Sequence, residues 1–102
     1  MNRIELSGGI DFLEWREGSG GTVEIFDIAV NSKRGCGRGT RLVRMLIERV
    51  RNETSLIFAI TRQSNQKAQD FYWKVGFLRI GTLLHFYATE SEDAVVFGMR
   101  LK

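Results

Sequence analysis

The chain has one cysteine, one histidine and no proline among its 102 residues. A lone Cys36 excludes an internal disulfide and fits a reducing compartment. Cys36 and His85 stand far apart in sequence and do not make a zinc set, so no metal is expected. No apolar run approaches the ~18 residues of a membrane span, and Met1-Asn2-Arg3-Ile4-Glu5 does not read as a signal peptide. A cytoplasmic protein with no membrane partner is the expectation. There is also no internal repeat and no low-complexity tract. The length then suits a single domain over residues 1–102, with room for one core.

What is present is ordinary in amount and uneven in placement. Hydrophobic residues make up 43% and charged residues 26%, so disorder is not expected. The net charge is +3, and much of it gathers at Lys33, Arg34, Arg38, Arg41, Arg44, Arg49 and Arg51. Such a cluster attracts nucleic acid or another polyanion, or is simply a solvated helix face. Interleaved aromatics for base stacking are lacking there, which counts against a nucleic-acid module.

Ile4-Glu5-Leu6 and Ile10-Asp11-Phe12-Leu13-Glu14-Trp15 read as short strands, and Gly18-Ser19-Gly20-Gly21 as the turn of a hairpin into the next strand. That strand, residues 23–30, alternates Val23, Ile25, Asp27 and Ala29 against Glu24, Phe26, Ile28 and Val30. Neither face is wholly polar, which predicts a central position in a sheet. Leu42, Val43, Leu46, Ile47 and Val50 then recur at helical spacing over residues 40–50, with Arg44 and Glu48 an i,i+4 pair. Leu56-Ile57-Phe58-Ala59-Ile60 is a buried strand. Ser64 or Asn65 caps a second helix carrying Ala68, Phe71, Tyr72 and Val75, which Gly76 ends. Residues 77–87 and 94–101 form a final hairpin across Thr89-Glu90-Ser91-Glu92-Asp93. The fold class is α/β (α+β): a mixed, mostly antiparallel sheet flanked by two main helices, with one strand–helix–strand unit at its centre.

Glycines crowd one junction in this plan, Arg34-Gly35-Cys36-Gly37-Arg38-Gly39-Thr40, between a strand and a helix. Backbone N–H groups can approach a ligand closely there, and the helix adds its unpaired amides and the positive end of its dipole. The combination is an anion cradle, most often for phosphate or pyrophosphate. Gly35, Gly37 and Gly39 give G-x-G-x-G where a dinucleotide fingerprint needs G-x-G-x-x-G. Gly39-Thr40 lacks the lysine of a Walker A loop.

The spacing Arg34-x-x-Gly37-x-Gly39 resembles the acyl-CoA binding loop of the Gcn5-related N-acetyltransferase (GNAT) superfamily, with Ile28-Ala29-Val30 before it and Leu42-Val43 after it. A second block, Asn65-x-x-Ala68-x-x-Phe71-Tyr72-x-x-x-Gly76-Phe77, is similar to another signature of that family. The resemblance covers roughly residues 22–102. It implies a GNAT-like acyltransferase fold and transfer of acetyl from acetyl-CoA directly to a primary amine. It further implies that Arg34, Gly35, Cys36, Gly37, Arg38, Gly39 and Thr40 hold the pyrophosphate through backbone amides. Ile28, Ala29 and Val30 would meet the pantetheine arm and polarise the thioester carbonyl, and Asn65 and Ala68 would also contact the coenzyme. Tyr72 would protonate the departing thiolate, and Glu24 would act as base. A core tyrosine and a surface glutamate are the alternative readings of the same residues, and Asp27 is read on the opposite face from Glu24.

Cys36 lies within the loop, apart from the acyl group, and no spacing links it to His85 as a nucleophile–base pair. Glu90, Glu92 and Asp93 could draw a cationic amine or form a solvated turn. Two departures from the family stand out: Asn31-Ser32 replaces a common proline, and the two helices that usually precede the central strands have no counterpart. An N-terminally shortened domain with an open sheet face is therefore expected, and a homodimer would cover that face. A non-catalytic acyl-CoA-binding domain remains an alternative to the enzyme.

Overall fold

The structure, a computed structural model, describes residues 1–32 and 37–102. Arg34, Gly35 and Cys36 lie outside the described residues. Eight main elements follow in order: β1 (Asn2–Leu6), β2 (Asp11–Glu17), β3 (Thr22–Ala29), α1 (Arg38–Val50), β4 (Leu56–Arg62), α2 (Gln66–Lys74), β5 (Leu78–Tyr87) and β6 (Glu92–Arg100). The strands make one sheet in the order β1-β2-β3-β4-β6-β5. The β3–β4 pair is parallel and the other four pairs are antiparallel. A parallel pair needs a crossover, which α1 supplies.

α1 forms because its apolar residues fall on one stripe. Leu42, Val43, Leu46 and Val50 are buried, while Arg41, Arg44 and Glu48 face solvent. It starts at Arg38 rather than Thr40, since Gly37 sits in the left-handed region at φ 66 as its N-cap. The ion pair of Glu48 is with Arg51, at 2.9 Å, rather than with Arg44.

Both helices lie on one face of the sheet. Leu42, Val43 and Leu46 from α1 and Tyr72 from α2 share a single core cluster with Leu13, Val23, Ile25, Ile57 and Ala59. Burying each of the leucine, valine and isoleucine side chains contributes about 1.5–3 kcal/mol. On the opposite face, Leu78 and Ile80 stay exposed. A Cβ at Gly98 would come within 2.7 Å of Ile80 Cδ1 and 3.3 Å of Leu56 Cδ1, so the backbone of β6 lies directly beneath these side chains.

The alternation expected along β3 is wrong past its midpoint. Trp15 pairs with Ile25 but Glu14 pairs with Asp27, so one extra residue bulges out of β3 at Phe26. The bulge reverses the pattern, placing Ile28 on the core side with Val23 and Ile25. Glu24 and Asp27 then share the other face, since their partners Arg16 and Glu14 are two apart on β2.

Candidate active site

β3 and β4 pair from Thr22–Leu56 to Ile25–Ala59, and there the pairing stops. Residues 26–29 and 60–62 continue as strand without pairing to one another, so the sheet forks. The bulge at Phe26 lies at the fork, where it increases local twist and turns β3 away from β4. The fork opens a cleft of about 520 Å³ walled by β3, β4 and α2. Backbone polar groups along a forked strand are free to bond a ligand that enters as an extended chain.

At the mouth of the cleft stands the N-terminus of α1. Gly37 offers no side-chain cap, and among the described residues no side chain takes the first amides of the helix. Gly39 lines the cleft. A Cβ there would lie 2.7 Å from Phe71 Cε1, so glycine is what lets α1 come this close to α2.

The loop before α1 is fastened by a residue the sequence did not single out. Asp11, fully buried at the start of β2, accepts from the backbone N–H of Asn31 at 2.8 Å and of Ser32 at 2.9 Å. It also accepts from the Ser32 hydroxyl and from Arg38 Nε. These donors, the Ser32 hydroxyl foremost, hold its carboxyl well below the usual carboxylate range against the opposing effect of burial. Arg38 also donates to the Ser7 hydroxyl. Its guanidinium thus ties the start of α1 to Asp11 and Ser7.

α2 forms the far wall. Asn65 caps it as expected, its Oδ1 accepting from the Ala68 N–H at 3.0 Å, and both residues line the cleft. Tyr72 is 5% exposed and lines the cleft as well. Its ring sits edge-on to Phe71 and Phe77, both at 5.2 Å, and stacks on Phe97 at 6.0 Å. Burial pushes its phenol above the ordinary value, and the Asp27 carboxylate adds to the shift. Tyr72 is therefore a core aromatic whose ring borders the cleft.

Among the expected coenzyme residues, Ile28, Val30, Gly39, Asn65, Ala68 and Tyr72 border the cleft, and Ala29, Gly37, Arg38 and Thr40 do not. Glu24 is not brought to it either. It pairs with Phe58 inside the zipped part of the sheet, before the fork, and accepts from Arg16 Nε at 2.8 Å. Asp27, past the bulge, is exposed and borders the cleft. The acidic turn is partly structural: Arg62 pairs with Glu90 at 2.8 Å and Glu92 at 3.1 Å, and its guanidinium lies 4.0 Å from the Tyr87 ring centre. Glu92 also accepts from the Ser64 N–H at 2.8 Å, tying the β4–α2 loop to β6. His85 is exposed at φ 52 and donates its backbone N–H to Asp93 at 2.7 Å.

No curated protein matches the chain in sequence. Several solved structures match it in shape. A candidate streptothricin acetyltransferase from Bacillus anthracis str. Ames, in complex with acetyl coenzyme A, superposes with a TM-score of 0.82 at 25% identity. That match covers 89% of this chain and 55% of the other. A GNAT-family candidate acetyltransferase from Desulfovibrio desulfuricans gives 0.82 at 22% identity, over 97% of this chain and 65% of the other. The ribosomal-protein-S18-alanine N-acetyltransferase from Escherichia coli gives 0.76 at 22%, over 96% and 66%. The chain thus spans between 55% and 66% of these structures. The model of the Acetyltransferase (GNAT) family matches residues 4–77, taking in the fork, the start of α1 and all of α2. The chain belongs to the GNAT acetyltransferase family.

Proposed function

We propose that this chain is an N-acetyltransferase that takes its acetyl group from acetyl-CoA and passes it directly to a primary amine. The observation that carries this reading is the fork between β3 and β4, which opens beside both the glycine-capped N-terminus of α1 and the Tyr72 ring. The Bacillus anthracis structure, solved with acetyl coenzyme A, supports the choice of donor. The pyrophosphate would rest on the α1 N-terminus, where backbone amides and the helix dipole favour a dense anion. The pantetheine arm would follow the free edge of β3 at Ile28 and continue past Val30, just beyond the strand.

In this reading a neutral amine attacks the thioester carbonyl, the new C–N bond replaces the C–S bond, and a thiolate leaves. Tyr72 supplies the proton to that sulfur, since its phenol is held in the protonated form by burial. The proton shed by the amine passes to solvent past Asp27, the exposed carboxylate at the cleft. Glu24 does not take that part, being held by Arg16 behind the fork. The acceptor is an amine-bearing small molecule, peptide or protein that reaches Asp27.

Native mass spectrometry of the purified protein for bound CoA, followed by thiol release across an amine panel, tests the reading. Bound CoA with thiol release on at least one amine is the expected result. CoA bound without turnover on peptides, polyamines or aminoglycosides would favour a non-catalytic acyl-CoA-binding domain. A protein that binds no CoA would overturn both. We also propose a cytoplasmic homodimer joined through the helix-free face at Leu78 and Ile80. Light scattering on the wild type and on Leu78→Glu checks the association, with a monomer expected for the variant.

A further inference from the structure

Thr61 is buried at 5% exposure, and its hydroxyl has no hydrogen-bond partner among the described residues. It lies two residues beyond the last β3–β4 pair, on the side of β4 that carries Ile57 and Ala59. Tyr72 packs on that same side, stacked on Phe97, whose strand partner is Ala59. Thr61 and Tyr72 both border the cleft. A buried hydroxyl left without a partner is costly, and such groups in native structures call for an explanation.

We propose that Thr61 is a positioning residue of the cleft, its hydroxyl donating to a carbonyl oxygen of the thioester arm once the donor is bound. The inference rests on the acyl-CoA reading above and adds to it a side-chain contact on β4. Deleting the hydroxyl then has opposite effects on the free and the loaded protein. The free protein loses an unsatisfied group and is relieved; the complex loses a hydrogen bond.

The test compares wild type, Thr61→Val and Thr61→Ser by thermal unfolding and by calorimetric titration. Two ligands serve: acetyl-CoA, and adenosine 3′,5′-bisphosphate, which lacks the pantetheine arm. Thr61→Val should melt at or above the wild-type temperature without ligand. It should bind acetyl-CoA about 3- to 10-fold more weakly and the bisphosphate equally well, the size expected for one hydrogen bond. Thr61→Ser should restore acetyl-CoA affinity. Unchanged acetyl-CoA affinity in Thr61→Val would overturn the inference and leave the acyl-CoA reading standing. Equal weakening toward both ligands would overturn it too, since that marks a general disturbance of the fold. A wild type that binds neither ligand would remove the acyl-CoA reading and this inference with it.

Discussion

Arg38 and Asp11 close a clasp across the base of the loop that precedes α1. Asp11 holds Asn31 and Ser32 on the strand side and Arg38 on the helix side, so both ends of the loop are pinned to β2. A charged group buried this completely is stable only because its lone pairs are filled. The clasp fixes where the amides of the α1 N-terminus point, and so should govern affinity for the donor more than the chemistry. Asp11→Asn should raise the Kd for acetyl-CoA about tenfold while kcat stays within about threefold, the split expected for a lost ground-state contact. Calorimetry and steady-state kinetics on the same preparation check it.

Gly39 serves packing as much as binding. Its missing Cβ makes room for the Phe71 ring, which would otherwise stand 2.7 Å away. Gly39→Ala should therefore destabilise the protein by about 1–3 kcal/mol through overpacking. Phe71→Leu in the same chain should recover part of that loss, because the smaller side chain gives the methyl group space. A double-mutant cycle by urea unfolding reads the coupling directly.

Much of this fold was legible where the signal was local. The stripe of Leu42, Val43, Leu46 and Val50 announced α1, and Asn65 and Gly76 marked the ends of α2. The Asp11 clasp was not legible, because its partners lie 20 to 27 residues away and nothing local marks an aspartate as buried. The Phe26 bulge was hidden for a different reason. Period-two alternation assumes an unbroken ladder, and one extra residue moved Asp27 onto the Glu24 face. Glu24 lost its place at the cleft to a matter of register: pairing to β4 persists through Ile25, so the fork opens only after it. The position of the Thr61 hydroxyl beside the same fork could not be read before the topology was known.

Acid should loosen the two loops that frame the cleft. The Ser64 hydroxyl and backbone, followed by Arg62, lower the Glu92 carboxyl below its ordinary value, and Asp11 is lowered more strongly. A carboxylate depressed in the folded state stabilises the fold above the unfolded pKa and loses that contribution as pH falls through the folded one. Stability should accordingly drop below about pH 4, the range of an ordinary carboxylate. Glu92→Gln should be less stable than wild type at pH 7, and the two unfolding curves should converge in strong acid. Thermal melts across pH 2.5 to 7, values chosen to bracket that range, would show whether they do.

Tyr72 offers the sharpest separation of chemistry from packing. Its ring is held by Phe71, Phe77 and Phe97, so Tyr72→Phe keeps every aromatic contact and removes only the hydroxyl. Acetyl-CoA affinity should change less than twofold, while acetyl transfer should slow by about a hundredfold or more, the usual weight of a general acid. Burial raises the phenol above its ordinary value of 10.0, which keeps it protonated through neutral and mildly alkaline conditions. The wild-type rate should then show no descending limb from this group up to about pH 10. The same shift predicts that stability declines as pH climbs past that value, since unfolding frees the phenol to ionise. The variant should lack that alkaline decline. Equal losses of affinity and rate in Tyr72→Phe would instead mark the hydroxyl as part of the fold and leave the thiolate without this donor.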